Sequence, residues 1–229
     1  MGLAVDQGNL PVGSSKDCGS QGVAAAKGYS GGMPTWKEMI ARNPQHSRNY
    51  ADRWERFAAE GKDIVGEARL IDAMVPRGAR ILDAGCGQGR IGGYLAQAGH
   101  TVSGCDIDPY LIACAKAQYP QATWMVGDLS AGEVPDGEFD AIVCAGNVMG
   151  FIHPEGRVPA LQALCAALAP GGRLAVGFGA GRGYDFAQFR EDCAAAGLAE
   201  ELLLSSWDLR PFEPSADFLV AILGRAERR

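Results

Sequence analysis

The chemistry this chain can be expected to perform rests on three carboxylates and a run of glycines. In "ILDAGCGQGRIGGYLAQAG", residues 81–99, a strand-like apolar run reaches Asp83. Glycines follow at Gly85, Gly87 and Gly89, and helical spacing then begins. Glycines at alternate positions remove Cβ atoms and permit positive φ, so backbone N–H groups can meet a ligand at the N-terminus of the next helix. Asp106 closes a second apolar run, "HTVSGCD", and Asp128 a third, "ATWMVGD". The stretch "GQGRIG" fits the G-x-G-x-x-G pattern of dinucleotide sites, which is a weak signal alone. A carboxylate at Asp83 would repel a pyrophosphate and suits a ligand with a cationic end, such as an ammonium or sulfonium. Asp106 stands where a carboxylate accepts both hydroxyls of a ribose, for NAD and other nucleosides alike. Asp128 could accept from an adenine amino group. Each aspartate taken singly is equally a helix cap or a solvated loop charge. Together, at three successive strand ends, they suit a nucleoside with a positively charged tail and no phosphate.

The elements that must position these residues follow from the hydrophobic pattern. Short apolar runs read as buried strands are "ARILDAG", "HTVSGCD", "ATWMVGD", "FDAIVCAG", "GRLAVGFG", a stretch near "EELLLSSW", and "DFLVAILG". Helical candidates lie between them at 90–98, 109–118, 130–134 and 155–168, and another follows at 184–196. Alternating strands and helices, with strands apolar on both faces, imply parallel strands covered on both sides. The last two strands are joined by "DLRPFEPSA", too short for a crossover helix, so they should pair antiparallel. Before the sheet, "TWKEMIARNP" reads as a helix stopped before Pro44. "QHSRNYADRWERFAAEG" reads as a second, with Tyr50, Trp54, Phe57 and Ala58 on one stripe. "KDIVGEARLIDAMVPRG" reads as a third, striped by Ile64, Ala68, Ile71 and Val75. Residues 1–33, rich in Gly, Ser and Ala without sustained period, read as a disordered leader or as residues translated from an early start codon. Residues 34–229 read as one domain, in which 35–75 form an N-terminal helical lid or cap.

Composition bounds the partners. The 229 residues are 47% hydrophobic and carry a formal net charge of -6, which disfavours nucleic acid as a main partner. No apolar run reaches the length of a membrane span, and no secretory signal opens the sequence. The seven cysteines form no C-x-x-C pair, so no metal site is expected. Several lie in apolar runs and read as small core residues of a protein of the reducing cytoplasm.

With these residues in view, the sequence resembles the class I S-adenosylmethionine-dependent methyltransferases. "ILDAGCGQG" resembles their first motif, with Asp83 as its acidic residue and Gly85, Cys86, Gly87 and Gly89 forming the loop. "VSGCDIDP" resembles the ribose-binding step, carried by Asp106 with Ile107 beside it. "VGDLS" resembles the adenine-binding step at Asp128 and Leu129. "FDAIVCAGNVMGF" resembles the fourth-strand motif and contributes Gly146 and Asn147, and "LAPGGRLAV" resembles the turn into the fifth strand. The resemblance covers residues 48–224. It implies an α/β fold, an open doubly wound Rossmann-like sheet of order 3-2-1-4-5-7-6 with strand 7 antiparallel. It also implies S-adenosylmethionine as cofactor, and Tyr50 and Trp54 as cofactor-covering residues of the lid.

The acceptor side falls in "AGNVMGFIHPEGR". Nucleic-acid amino-methyltransferases carry an Asn/Asp-Pro-Pro-aromatic stretch here, which "GNVMGF" lacks. A small-molecule acceptor is therefore expected. Asn147 could orient it or touch the methionine end of the cofactor. His153 is a candidate base, though a plain loop histidine is the default; His46 and His100 read as surface histidines. Arg157 and Arg182 could hold an anionic substrate but read first as solvated. The alternatives are an NAD(P)-dependent oxidoreductase, opposed by Asp83 and Asp128, and an S-adenosylmethionine-binding protein without transferase activity.

Overall fold

The computed structural model describes residues 33–226. Residues 1–32, nearly all of the segment read as a leader, and residues 227–229 lie outside the described residues. Seven strands form one sheet: β1 (Arg80–Ala84), β2 (Thr101–Asp106), β3 (Thr123–Val126), β4 (Phe139–Cys144), β5 (Leu168–Gly179), β6 (Leu198–Leu204) and β7 (Phe218–Arg225). Their order is β3-β2-β1-β4-β5-β7-β6. The strands from β3 across to β5 pair in parallel, and β7 runs antiparallel to both its neighbours. This is the order and the antiparallel ending expected above. Helices α1 (Trp36–Arg42), α2 (His46–Ala59) and α3 (Gly66–Met74) precede the sheet. Helices α4 (Arg90–Gln97), α5 (Pro109–Gln118), α6 (Pro154–Ala167) and α7 (Phe186–Ala195) follow strands β1, β2, β4 and β5.

The two-residue period of a strand divides the core into two layers. Leu82, Ile142, Leu174, Val176 and Leu219 face one way and pack with Leu161 and Leu164 of α6 and Phe189 of α7. Ile81, Val143, Ala175, Val220 and Ile222 face the other way and pack with Ala68 and Ile71 of α3 and Ile91 and Leu95 of α4. Both faces are covered, which is why these strands read as unbroken apolar runs. Of the six described cysteines, all free, Cys86, Cys105, Cys144 and Cys193 are buried, and burial pushes the Cys105 thiol up to about 12. No helix of the described residues is long and apolar enough to cross a membrane.

Local chemistry sets most helix ends. Thr35 and Glu38 form a reciprocal capping box at the start of α1. Asp108 accepts from Tyr110 N and Leu111 N, with Pro109 opening α5. Two expectations are corrected. Helix α3 starts at Gly66 rather than Lys62, because Asp63 accepts from Val65 N and pairs with Arg69, a local turn that competes with helix. Ile64 therefore falls outside it, and at the other end Val75 is its extended C-cap. The helix expected over 130–134 is one 3-10 turn, Leu129–Ala131, ended by Gly132 at φ 75°.

Gly104 tests the packing. It lies in β2, and a Cβ there would sit 2.3 Å from Trp124 Cζ3. Trp124 is fixed by its own bond from Nε1 to Tyr119 O at 2.9 Å. Gly104→Ala is expected to destabilise the protein by about 1–3 kcal/mol in urea unfolding, and adding Trp124→Leu should recover part of that loss. An unchanged midpoint in the single variant would contradict this packing.

Candidate functional site

Parallel pairing brings the carboxyl ends of β3, β2, β1 and β4 to one edge of the sheet, where ligands of open α/β sheets bind. The loop after β1 turns there with Gly85, Gly87 and Gly89 at φ 75°, 54° and 81°, a conformation that favours glycine. Gly85 N and Cys86 N both donate to Cys105 O of β2, at 2.8 and 3.0 Å. Gly87 N donates to Asp106 Oδ2 at 2.8 Å. A Cβ at Gly85 would lie 2.4 Å from Val148 Cγ2. At the base of the loop, Asp83 is 2% exposed and accepts from Gly92 N in α4 at 2.8 Å.

Two adjoining cavities open on this loop. The larger, of about 230 Å³, runs past Gly85, Gly87, Asp106, Ile107, Leu111, Asp128, Leu129 and Gly146, and is roofed by Trp36, Lys37 and Tyr50 of the first two helices. The smaller, of about 20 Å³, is lined by Asp83, Cys86, Gln88, Arg90, Trp54 and again Tyr50. The structure thus gathers Asp83, Gly85, Cys86, Gly87, Asp106, Ile107, Asp128, Leu129, Gly146, Tyr50 and Trp54 around two cavities that share Tyr50, Gly85 and Gly146. Gly89 and Asn147 are not among the residues that line either cavity. Gly89 caps α4, where a Cβ would crowd Ala115 and Trp124 at 3.0 Å. Asn147 sits at φ 65° and its Oδ1 accepts from Gly179 N at 2.8 Å, tying the loop after β4 to the end of β5.

The three carboxylates have different surroundings. Burial pushes Asp83 up to about 7, against the Gly92 N–H and Arg90, which favour its charge. Burial pushes Asp106 up to about 6, against the N–H groups of Asp108 and Gly87. Asp128 is half-buried. That burial is overcome by Lys37 and Ser130, which hold it below its ordinary value. Its Oδ1 accepts from Ser130 N and Oγ at 2.9 and 2.6 Å, and its Oδ2 pairs with Lys37 Nζ at 2.8 Å. Asp128 is therefore both a cap and a wall of the cavity. Arg90 holds Glu67 through two bonds of 2.9 Å and stacks 4.1 Å over the Trp54 ring.

Several residues differ from their sequence reading. His100 is buried, with Nε2 2.8 Å from Asp72 Oδ1. Arg157 is buried over the Tyr184 ring at 4.0 Å and donates to Gly183 O, so it braces a loop. His153 is exposed and lines the larger cavity. Sequence reasoning missed Trp36, Lys37, Phe151, Gln88 and Arg90. Trp36 donates from Nε1 to Asp108 Oδ2 at 2.9 Å and meets Tyr50 and Phe151 edge-on. The capping box Thr35-x-x-Glu38 announces the helix that carries it, but not the contact.

The residues present fit an adenosine ligand with a zwitterionic tail. Trp54 Nε1 and Gln88 Oε1 are buried side-chain atoms without a hydrogen-bond partner, and both residues line the smaller cavity beside Asp83 and Arg90. Buried polar atoms of that kind ask for a partner. A donor for a carboxylate and acceptors for an ammonium are thus adjacent.

Comparison with known proteins points the same way. A family model described as "Methyltransferase domain" matches residues 81–172. The crystal structure of a TehB-like SAM-dependent methyltransferase from Corynebacterium glutamicum is 57% identical, with a TM-score of 0.78, covering 80% of this chain and 100% of that one. An uncharacterized methyltransferase of Mycobacterium tuberculosis is 36% identical over 110 residues, 47% of this chain and 54% of that protein. A ubiquinone biosynthesis O-methyltransferase of Xylella fastidiosa is 31% identical over 163 residues, 63% of each. The chain spans between half and two thirds of the length of these curated relatives.

The raised carboxylates give a pH prediction. A cationic ligand binds the ionised forms of Asp83 and Asp106. S-adenosylmethionine affinity should be full above about pH 7 and fall as pH drops through 7 and then 6. Stability without ligand should move the opposite way. Between the ordinary value of 3.8 and about 7 the native state binds protons that the unfolded chain has released, so stability falls as pH rises through that window. Calorimetry and melting from pH 5.5 to 8 check both slopes. A pH-independent affinity would remove the carboxylates from the binding step.

Proposed function

Because the chain belongs to the class I S-adenosylmethionine-dependent methyltransferases, we propose that it transfers the methyl group of that cofactor to a small-molecule acceptor. The observation that carries this reading is a cavity bounded by Asp106 and Asp128 beside a pocket lined by Asp83, in which Gln88 and Trp54 leave polar atoms for a charged tail. S-adenosylmethionine would supply a methyl group on a cationic sulfur: an acceptor's lone pair would bond to that carbon in line with the carbon–sulfur bond, whose electron pair would leave on sulfur as a neutral thioether.

The chain's own residues bind, orient and exclude water. Asp106, already held by Gly87 N and Asp108 N, accepts the ribose hydroxyls. Ile107, Leu111 and Leu129 give adenine apolar walls. Asp128 meets its amino group through the oxygen it shares with Lys37. Asp83 and Gln88 take the ammonium of the tail, and Trp54 its carboxylate. A general base is needed only if the acceptor must lose its proton early; His153 is the cavity-lining residue suited to that. The acidic net charge and the absence of the Asn/Asp-Pro-Pro stretch support a small acceptor over nucleic acid. The free, buried cysteines support a cytoplasmic setting.

Calorimetry tests the cofactor. The protein should bind S-adenosylmethionine and S-adenosylhomocysteine, and neither NAD nor NADP, whose pyrophosphate would meet Asp83. Micromolar NAD binding without S-adenosylmethionine binding would reject the reading. Transfer of tritium from methyl-labelled cofactor into a metabolite extract would separate an enzyme from a mere binder.

Helices α1 and α2 act as the lid, since methyl transfer needs a dry, closed site. Helix α1 has no buried residue of its own. It is held to the strand-end loops by Trp36 with Asp108 and Lys37 with Asp128. Trp36→Ala should weaken S-adenosylmethionine binding about tenfold, near 1.4 kcal/mol, through faster release in stopped flow. Unchanged affinity and release would leave α1 a packing helix only.

A further inference from the structure

Val148, Phe151, Ile152 and His153, all from the stretch after β4, form one wall of the larger cavity. The stretch begins with a 3-10 turn, Val148–Phe151. Phe151 meets Trp36 edge-on at 5.6 Å and 70°, so α1 lands on this wall. The wall is held by residues that line neither cavity. Gly150 lies against the loop after β5, where a Cβ would sit 2.5 Å from Arg182 O. Arg157, in the first turn of α6, fastens the two stretches together. Its Nε donates to Ile152 O at 3.3 Å and its Nη2 to Gly183 O.

The guanidinium is itself fixed. It lies 4.0 Å over the Tyr184 ring, and the Tyr184 hydroxyl donates to Asp192 of α7. Burying a cation is costly, and Arg157 is held by carbonyls and a ring rather than by a carboxylate. What it adds over an apolar side chain is a rigid fork of donors that reaches two loops at once. We propose that Arg157 is a positioning residue: by tying Ile152 to Gly183 it sets the wall on which the lid closes, and so governs how long the cofactor is retained. This rests on the methyltransferase reading of the site.

The influence passes through packed neighbours. Arg157 holds Ile152 O, Ile152 follows Phe151 in the chain, and Phe151 meets Trp36. The start of the stretch has its own anchor, because Asn147 Oδ1 accepts from Gly179 N at 2.8 Å. Removing the guanidinium therefore loosens the end that carries Phe151 and leaves the end at Asn147 in place. Arg157 lines neither cavity, so its loss reaches a bound ligand by way of the wall and the lid. In an arrangement of this kind, Arg157 matters to ligand retention only while Trp36 is there to close on Phe151.

A double-mutant cycle on the full chain tests this, with S-adenosylhomocysteine as the probe, affinity from calorimetry and release from stopped flow. Arg157→Ala should release the probe about threefold faster and bind it about threefold more weakly. Placed on Trp36→Ala, the same substitution should cost nothing more. A structural weakening unrelated to the lid would instead multiply the two losses. Should Arg157→Ala not fold, Arg157→Lys runs the same cycle, because a single ammonium cannot span both carbonyls. Multiplying losses in the double variant, or no loss in the single one, would overturn the positioning role and leave the cofactor reading intact. Wild-type protein that binds neither S-adenosylhomocysteine nor S-adenosylmethionine would overturn the methyltransferase reading itself, and this inference with it.

Discussion

The bond from Gly92 N to Asp83 Oδ2, 2.8 Å long and buried, organises much of the site. It ties the carboxyl end of β1 to the first turn of α4 across the glycine loop. The approach is close enough that a Cβ at Gly92 would lie 3.0 Å from that oxygen and 2.8 Å from Trp124. Once strand and helix are drawn together, the loop has to turn sharply, which is why Gly85, Gly87 and Gly89 all take positive φ. The turn aims Gly87 N at Asp106, and the two strand ends become one wall. Neighbouring bonds from Gly85 and Cys86 to Cys105 O extend the same wall along β2.

Much of this was legible in the sequence, for a physical reason. Strands buried on both faces appear as apolar runs, and the residue that ends each run is placed at the sheet's edge whatever the details of packing. Asp83, Asp106 and Asp128 could therefore be put at neighbouring strand ends. Helix starts with a side-chain cap, such as Asp108 before α5, were similarly local. Boundaries slipped where a different local bond won, as at Asp63, whose turn delays α3.

What the sequence hid were contacts between distant residues. Trp36 and Asp108 are 72 positions apart, and Lys37 and Asp128 are 91 apart; nothing in either neighbourhood announces the pairing. The same limit explains His100 and Arg157, charged or polar residues read as solvated. Each is buried because a partner from another element, Asp72 or the Gly183 carbonyl, is waiting. Asn147 shows the converse. Its position in the loop after β4 suggested a ligand contact, but its side-chain oxygen is committed to Gly179 N, and the neighbouring Gly146 reaches the cavity.

The carboxylates also show how the site sets stability against binding. A buried carboxylate with a raised pKa destabilises the folded state at neutral pH, because ionisation there costs more than in the unfolded chain. Asp83 and Asp106 both carry that penalty, and a polar but uncharged residue at either position would escape it. Asp128, capping a turn and paired to Lys37, carries none. The strain is thus concentrated on the two groups deepest in the site, where a cation or a pair of hydroxyls would relieve it. A ligand that brings positive charge and hydrogen-bond donors to these positions supplies both carboxylates with partners. The same desolvated charges would repel the pyrophosphate of a dinucleotide.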